Sequence, residues 1–173
     1  PCIVFIHGAG CDHVSWVHQA RWFAHHGWTV LAPDLPGHGR SDGTAPSTIT
    51  AMADWVERLM DAAGVAKAAV AGHSMGGAIA LELAGRPNSR VTHLALIGTA
   101  AAIPVGKALL EAAVNAPQAA YDMMTAWAHA PQARIGGAAT PGIWLTGASR
   151  RIFDRNAPGV LANDLALCNV WTT

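Results

Sequence analysis

A chain of 173 residues with 51% apolar and 13% charged side chains can build one domain with a sizeable core, and its charged share falls well below the roughly 25% of ordinary soluble domains. Eleven basic and eleven acidic residues cancel, which leaves neither a basic field for nucleic acid nor an acidic tail. No apolar run approaches the ~20 residues that a membrane span needs, and no charged segment leading into an apolar run marks a secretory leader.

The first residue is Pro1, directly before the buried-strand pattern Cys2-Ile3-Val4-Phe5-Ile6, so we expect the sequence to begin inside a longer chain. Ile3–Ile6 reads as a strand ended by the loop His7-Gly8-Ala9-Gly10. Val14–His26 reads as a helix with Val17, Ala20 and Ala24 on one side, and Trp28–Ala32 as a second strand stopped by Pro33. The turn formers of Asp34-Leu35-Pro36-Gly37-His38-Gly39-Arg40-Ser41-Asp42-Gly43 make a loop. Ile49–Ala63 is the clearest helix: Met52, Trp55, Val56, Leu59, Met60 and Ala63 form a 3.6-periodic stripe, with Ser47 or Thr48 to cap its start and Gly64 its end. Ala66–Ala71 is a third strand, Met75–Ala84 a helix and Val91–Ile97 a fourth strand.

This β-α-β-α-β-α-β order predicts an α/β fold, a parallel sheet of about four strands with helices on both faces. After Ala102 the rhythm changes. Helical patches lie around Lys107–Asn115 and Gln118–His129, a looser tract holds Gly136-Gly137, Pro141-Gly142 and Pro158-Gly159, and a last helix covers Val160–Trp171. We therefore divide the chain into a core over 1–102 and a helical lid over 103–173. Cys2, Cys11 and Cys168 are odd in number and widely spaced, which fits reduced thiols in a cytoplasmic protein better than a disulfide framework or a zinc site.

Chemistry concentrates in Gly72-His73-Ser74-Met75-Gly76-Gly77, between an apolar strand and a helix. A sharp turn with glycine at 72 and 76 lifts the Ser74 hydroxyl clear of the sheet, where it can attack a carbonyl. The plainer alternative is a serine that caps the helix starting at Met75. The loop His7-Gly8-Ala9-Gly10 follows a neighbouring strand and can aim backbone N–H groups at a developing oxyanion, with Ala9 and Met75 as the candidate donors; otherwise it is an ordinary β–α turn.

Taken in order, His7-Gly8-x-Gly10, Asp34–Asp42 and Gly72–Gly77 resemble the α/β-hydrolase family. The resemblance implies that Ser74 is the nucleophile and that the Ala9 and Met75 N–H groups form the oxyanion hole, with His7, Gly8, Gly10, Gly72, His73 and Gly76 as supporting motif residues. It also implies that the Asp34–Asp42 loop is structural. A serine at the elbow argues against the epoxide hydrolase and dehalogenase branches, which resemble this chain but place an aspartate there.

The family's triad runs serine, acid, histidine, with the last two after the lid. Here no strand-like run follows the lid, and two strands that precede Ile3–Ile6 in the family are absent, so we expect four middle strands with both edges bare. His7, His13, His18, His25, His26, His38 and His73 all precede Ser74; His93 begins a strand away from the rim, and His129 lies in the lid. We expect His73 to pack under the elbow and His38 to hydrogen-bond within its loop. Gly98–Ala102 holds no carboxylate, and Glu111, Asp122, Asp154 and Asp164 lie in the lid, solvated or in structural pairs.

The triad acid and base are therefore expected outside this chain, which by itself would be an inactive or nearly inactive piece of a serine hydrolase. No cofactor is implied: there is no His-Glu-x-x-His, no Cys/His cluster at ligand spacing and no phosphate loop. Met123, Met124, Trp127, Trp144 and Trp171 either line an acyl pocket or form the lid's own core, and the first option points to a small apolar or uncharged carbonyl substrate. Haloperoxidase-like, C–C bond-cleaving and acyl-transferring relatives share the same elbow, and a non-catalytic binding member is a further alternative.

Overall fold

The computed structural model describes residues 1–134, 142 and 144–173. The expected loose tract around Gly136-Gly137 and Pro141 lies outside the described residues. Four strands, β1 (Cys2–Ile6), β2 (Thr29–Leu31), β3 (Ala68–His73) and β4 (Val91–Ile97), form one parallel sheet in the order β2-β1-β3-β4. Parallel pairing requires crossovers, and helices α1 (Val17–His25), α2 (Ile49–Ala62) and α3 (Met75–Ala84) supply them.

The two faces of the sheet are written in the alternation of β1 and β3. Val4, Ile6, Ala68 and Val70 point into one cluster with Met52, Val56 and Met60 of α2 and Ile79 and Leu83 of α3. Ile3, Phe5, Ala69 and Ala71 point into a second cluster with Trp16, Ala20, Phe23 and Trp28. Helices therefore cover both faces, as expected. On α2 the buried residues are Ile49, Met52, Ala53, Val56 and Met60, and the Thr48 hydroxyl caps the start by accepting from the Ala51 N–H at 3.0 Å.

The segment expected as one helix over Val14–His26 divides into a 3-10 turn, His13–Trp16, and α1. Its inward residues are Trp16, Ala20 and Phe23, whereas Val17 and Ala24 are exposed. Aromatic packing accounts for the change. Phe5 contacts Trp16 and Phe23 at ring-centroid distances of 4.8 and 5.6 Å, and Trp28 meets Phe23 edge-on at 5.3 Å.

Residues 103–173 hold α4 (Lys107–Asn115), α5 (Pro117–Ala128), the short α6 (Pro131–Arg134), α7 (Leu145–Phe153) and α8 (Val160–Val170). Leu161, Leu165 and Cys168 of α8 are buried in the same cluster as β1, α2 and α3. Helix α7 falls in the tract expected to be loose. Its stability comes from partners on α5: Arg150 donates to Asp122 and Gln118, and Phe153 stacks on Tyr121 at 5.4 Å.

Among the described residues β2 and β4 each pair with one strand only. On β4 this leaves Leu94, Leu96 and Ile97 exposed at 38%, 43% and 43%, an apolar strand beside an open edge. We expect the 173-residue chain to self-associate through this strand. Leu96→Lys should lower the associated fraction in sedimentation velocity without changing the far-ultraviolet spectrum; unchanged association would show that β4 is not the contact.

Candidate active site

The site starts from the close approach of three segments. Helix α3 begins directly over the ends of β1 and β3. A Cβ on Gly76 would lie 2.2 Å from the Ile6 carbonyl oxygen, and one on Gly72 would lie 2.1 Å from the Gly76 oxygen. Neither contact can be relieved by rotating a side chain, because both partners are backbone. Glycine at these positions is thus a requirement of packing as well as of turning.

Between them Ser74 adopts φ 52° and ψ −119°, outside the regions that L-residues favour, at a cost of about 1–3 kcal/mol. The surroundings hold it there. Its N–H donates to the Ile97 oxygen of β4 at 2.9 Å, and its carbonyl accepts from the Gly77 N–H at 2.8 Å. The hydroxyl does not cap α3, so the plainer reading of Ser74 as a helix cap does not hold. The side chain is half-buried and faces the loop after β1: a Cβ on Gly8 would sit 3.3 Å from Ser74 Cβ and 3.1 Å from His73 Nδ1.

That loop is a tight turn closed by the Cys11 N–H on the Gly8 oxygen at 3.0 Å, with Gly10 at φ 63°. Among the described residues the N–H groups of Ala9 and Met75 have no acceptor within the protein. The structure thus brings Gly8 against His73 and Ser74, and packs Gly76 on the Ile6 and His7 carbonyls and Gly72 on the Gly76 backbone, whereas Gly10 faces Leu161 and Phe153.

His7 is fully buried. Its Nε2 accepts from the Leu35 N–H at 3.0 Å, and its Nδ1–H donates to the Gly8 oxygen at 2.9 Å, so one neutral tautomer satisfies both bonds. Burial, aided by the nearby His38 charge, pulls its pKa down to about 4 against the pull of the Gly8 carbonyl and nearby carboxylates. His73 is exposed as a residue, but its ring lies against the loop backbone, where a Cβ on Gly8 would sit 3.1 Å from Nδ1 and one on Gly98 3.5 Å from the ring, and this partial burial lowers its pKa.

His38 does more than bond within its loop. Its Nδ1–H donates to the Pro36 oxygen at 3.1 Å and its Nε2–H to Asp164 Oδ2 on α8 at 2.7 Å, with both side chains fully buried. Two acceptors on two ring nitrogens favour the imidazolium. Burial pushes the His38 pKa down, but the Asp164 bond and charge together with the Pro36 and Leu35 carbonyls outweigh it, and the net shift is upward. Of the carboxylates Glu111, Asp122, Asp154 and Asp164, Asp164 is the one in a buried pair; Glu111 meets Lys107, and Asp122 and Asp154 meet Arg150 at the surface.

Asp164 could have been noticed in the sequence. It interrupts the apolar stripe of α8 formed by Val160, Leu161, Leu165 and Cys168, and a carboxylate there must find a buried partner. Asp12, His13 and Asp34 offer ligand atoms within 4.8 Å of one another, and each is already engaged. Asp34 accepts from the His13 ring at 2.7 Å and from the Arg40 N–H at 2.9 Å, and Asp12 pairs with Arg155 at 2.6 Å. Met123, Met124 and Trp171 pack against the main core, whereas Trp127 and Trp144 are exposed. No helix among the described residues is long and apolar enough to cross a membrane.

The family model described as alpha/beta hydrolase fold matches residues 1–140. The chain belongs to the alpha/beta hydrolase fold family. Among curated relatives of this hydrolase-fold chain is the dihydrolipoyllysine-residue acetyltransferase component of the acetoin cleaving system of Cupriavidus necator, 43% identical over 105 residues, which are 60% of this chain and 26% of the relative. A putative non-heme haloperoxidase of Mycobacterium phage D29 is 35% identical over 101 residues, 57% of this chain and 36% of the relative.

Among solved structures, a thermophilic esterase superposes with TM-score 0.73 at 31% identity, covering 98% of this chain and 61% of that one. The enol-lactonase from Burkholderia xenovorans LB400 superposes with TM-score 0.82 at 25% identity, covering 99% and 66%. The chain therefore spans about a quarter of the length of the first curated relative and under two thirds of the first solved structure.

The two buried histidines set opposite pH limits. Below the ordinary value of 6.5 the unfolded chain protonates His7 while the folded site refuses the proton, so stability falls from there towards pH 4. The His38 contribution is full below 6.5 and is lost as pH rises through its raised folded value. His38→Gln should therefore flatten the alkaline limb of a Tm–pH profile and, by removing the charge that helps depress His7, also soften the acid limb; an unchanged alkaline limb would contradict the buried imidazolium.

Proposed function

We propose that the full protein is a serine hydrolase that acts on small, uncharged ester-like carbonyl substrates through an acyl-enzyme on Ser74. The observation that carries this reading is the conformation of Ser74: φ 52° at the turn from β3 into α3, with a hydroxyl not spent on capping the helix. A strained residue held by its surroundings at the carboxyl end of a parallel sheet is the kind of place where a nucleophile is presented.

In this reading the Ser74 oxygen attacks the carbonyl carbon while its proton passes to a general base. The carbonyl oxygen becomes the oxyanion and is held by the free Ala9 and Met75 N–H groups. Collapse expels the alcohol, which takes up the proton, and water then releases the acid and restores Ser74. Among the described residues no histidine bonds the Ser74 hydroxyl, so the base and its carboxylate partner are assigned to the rest of the full protein. By itself the 173-residue chain would keep only the residual rate that an oxyanion hole and binding supply.

One observation favours a second reading: the 43% identity to an acetyltransferase component. An acyl-enzyme on Ser74 could pass its acyl group to a thiol or alcohol instead of water, with the proton of that acceptor returning through the same base.

In the full protein, Ser74→Ala should lower kcat/KM for p-nitrophenyl butyrate by about 10,000-fold or more, with the fold unchanged by circular dichroism. Retained activity would contradict the nucleophile assignment. Product analysis with an added thiol separates the two readings: butyric acid supports hydrolysis, and a thioester supports transfer.

A further inference from the structure

We propose that Asp164, on helix α8 and 155 positions beyond Ala9, is a positioning residue for the oxyanion hole. It acts through Gly10, so that the segment Phe153–Cys168 sets the aim of the Ala9 N–H. This inference rests on the reading of Ala9 and Met75 as oxyanion donors and deepens it.

An oxyanion donor helps only if it points at the place where charge develops, and an error of about 1 Å can cost on the order of 100-fold. The direction of the Ala9 N–H is set by the peptide before it and the residue after it. Before it, Gly8 is backed against His73 and Ser74. After it, Gly10 is held from α8 and the turn leading into it. The Gly10 N–H donates to Asp164 Oδ2 at 2.9 Å, and the Gly10 carbonyl accepts from Asn156 Nδ2. With both polar groups of Gly10 fastened, Ala9 is left little freedom to rotate.

Each fastener is itself held. Asp164 Oδ2 also accepts from His38 Nε2 at 2.7 Å, and the His38 ring is tied through Nδ1 to the Pro36 oxygen. Asn156 Oδ1 accepts from the Gly39 N–H at 3.0 Å, and the Ala157 N–H donates to the Gly37 oxygen at 3.1 Å. The Asp34–Asp42 loop thus braces the clamp from behind. Apolar packing completes it: a Cβ on Gly10 would lie 2.8 Å from Leu161 and 3.2 Å from Phe153, so α8 and the end of α7 form the wall against which the turn rests.

A carboxylate suits this place better than a neutral acceptor. It faces two donors at one oxygen, a backbone N–H and an imidazole N–H, and charge-assisted bonds are shorter and roughly twice as strong as neutral ones. Asn at 164 would present one oxygen and one NH2 group in the same volume, keeping the packing while weakening the hold on Gly10.

The test uses the full protein, with kcat normalised to active sites titrated by the p-nitrophenol burst. For Asp164→Asn the expected result is a per-site kcat about 10- to 100-fold lower. That is less than the roughly 100- to 1,000-fold loss of a whole oxyanion donor. KM should stay within about twofold, and affinity for benzeneboronic acid, which forms a tetrahedral anion on the nucleophile, should fall by a factor similar to that of kcat.

Asn156→Ala, which frees the other side of Gly10, should move the same quantities in the same direction and keeps the test decisive if Asp164→Asn folds poorly. Asn169→Ala breaks a different α8 contact, to the Val105 N–H, and should leave per-site kcat unchanged. A per-site kcat within twofold of the parent for both Gly10-clamp variants would overturn the proposal, as would a loss confined to the number of titratable sites. If Ser74→Ala retains full activity, the hydrolase reading itself fails and the proposal falls with it.

Discussion

The structure depends on how closely the first turn of α3 approaches the ends of β1 and β3. Backbone meets backbone there, with room for no atom beyond hydrogen at Gly72 and Gly76. Once α3 is seated this way, the residue that turns the chain has no ordinary conformation open to it, and Ser74 takes φ 52°. The strain is offset by bonds that other elements supply, chiefly the Ile97 carbonyl on β4. The same seating presses the Gly8 backbone against the elbow, so the candidate nucleophile and the candidate oxyanion loop are placed by a single packing event.

A second layer of contacts extends that arrangement to residues far away in the chain. The Asp34–Asp42 loop, the Gly8–Cys11 turn and helix α8 meet around a buried imidazolium–carboxylate pair, His38 and Asp164. Removing one partner of such a pair leaves a buried charge without compensation, which is strongly destabilising, whereas the intact pair is a modest source of stability. Its value here is geometric, because one carboxylate oxygen ties a loop histidine and the Gly10 amide to the same helix. Functionally, this links the outer helices to the place where an oxyanion would form.

The sequence made the sheet and the elbow readable because both are local signals. Met75–Ala84 and Val91–Ile97 end where the patterns end, and Gly72, Ser74 and Gly76 are spaced by the turn they make. Features that depend on distant partners were harder to read. Helix α7 carries Gly147 and has no side-chain cap at its start, and it is held by Arg150 reaching back to α5. Val17 and Ala24 lost their expected inward positions because Trp16 and Phe23 pack on Phe5. The His38–Asp164 pair spans 126 positions, and its only trace in the sequence is a lone aspartate within an apolar helical stripe.

Ser74 carries the proposed role of nucleophile. Its most direct test is peptide mass spectrometry of the full protein after reaction with a fluorophosphonate. The expected result is one phosphonyl adduct, on the peptide that carries Ser74, absent from Ser74→Ala. An adduct on another serine, or labelling that survives Ser74→Ala, would contradict it.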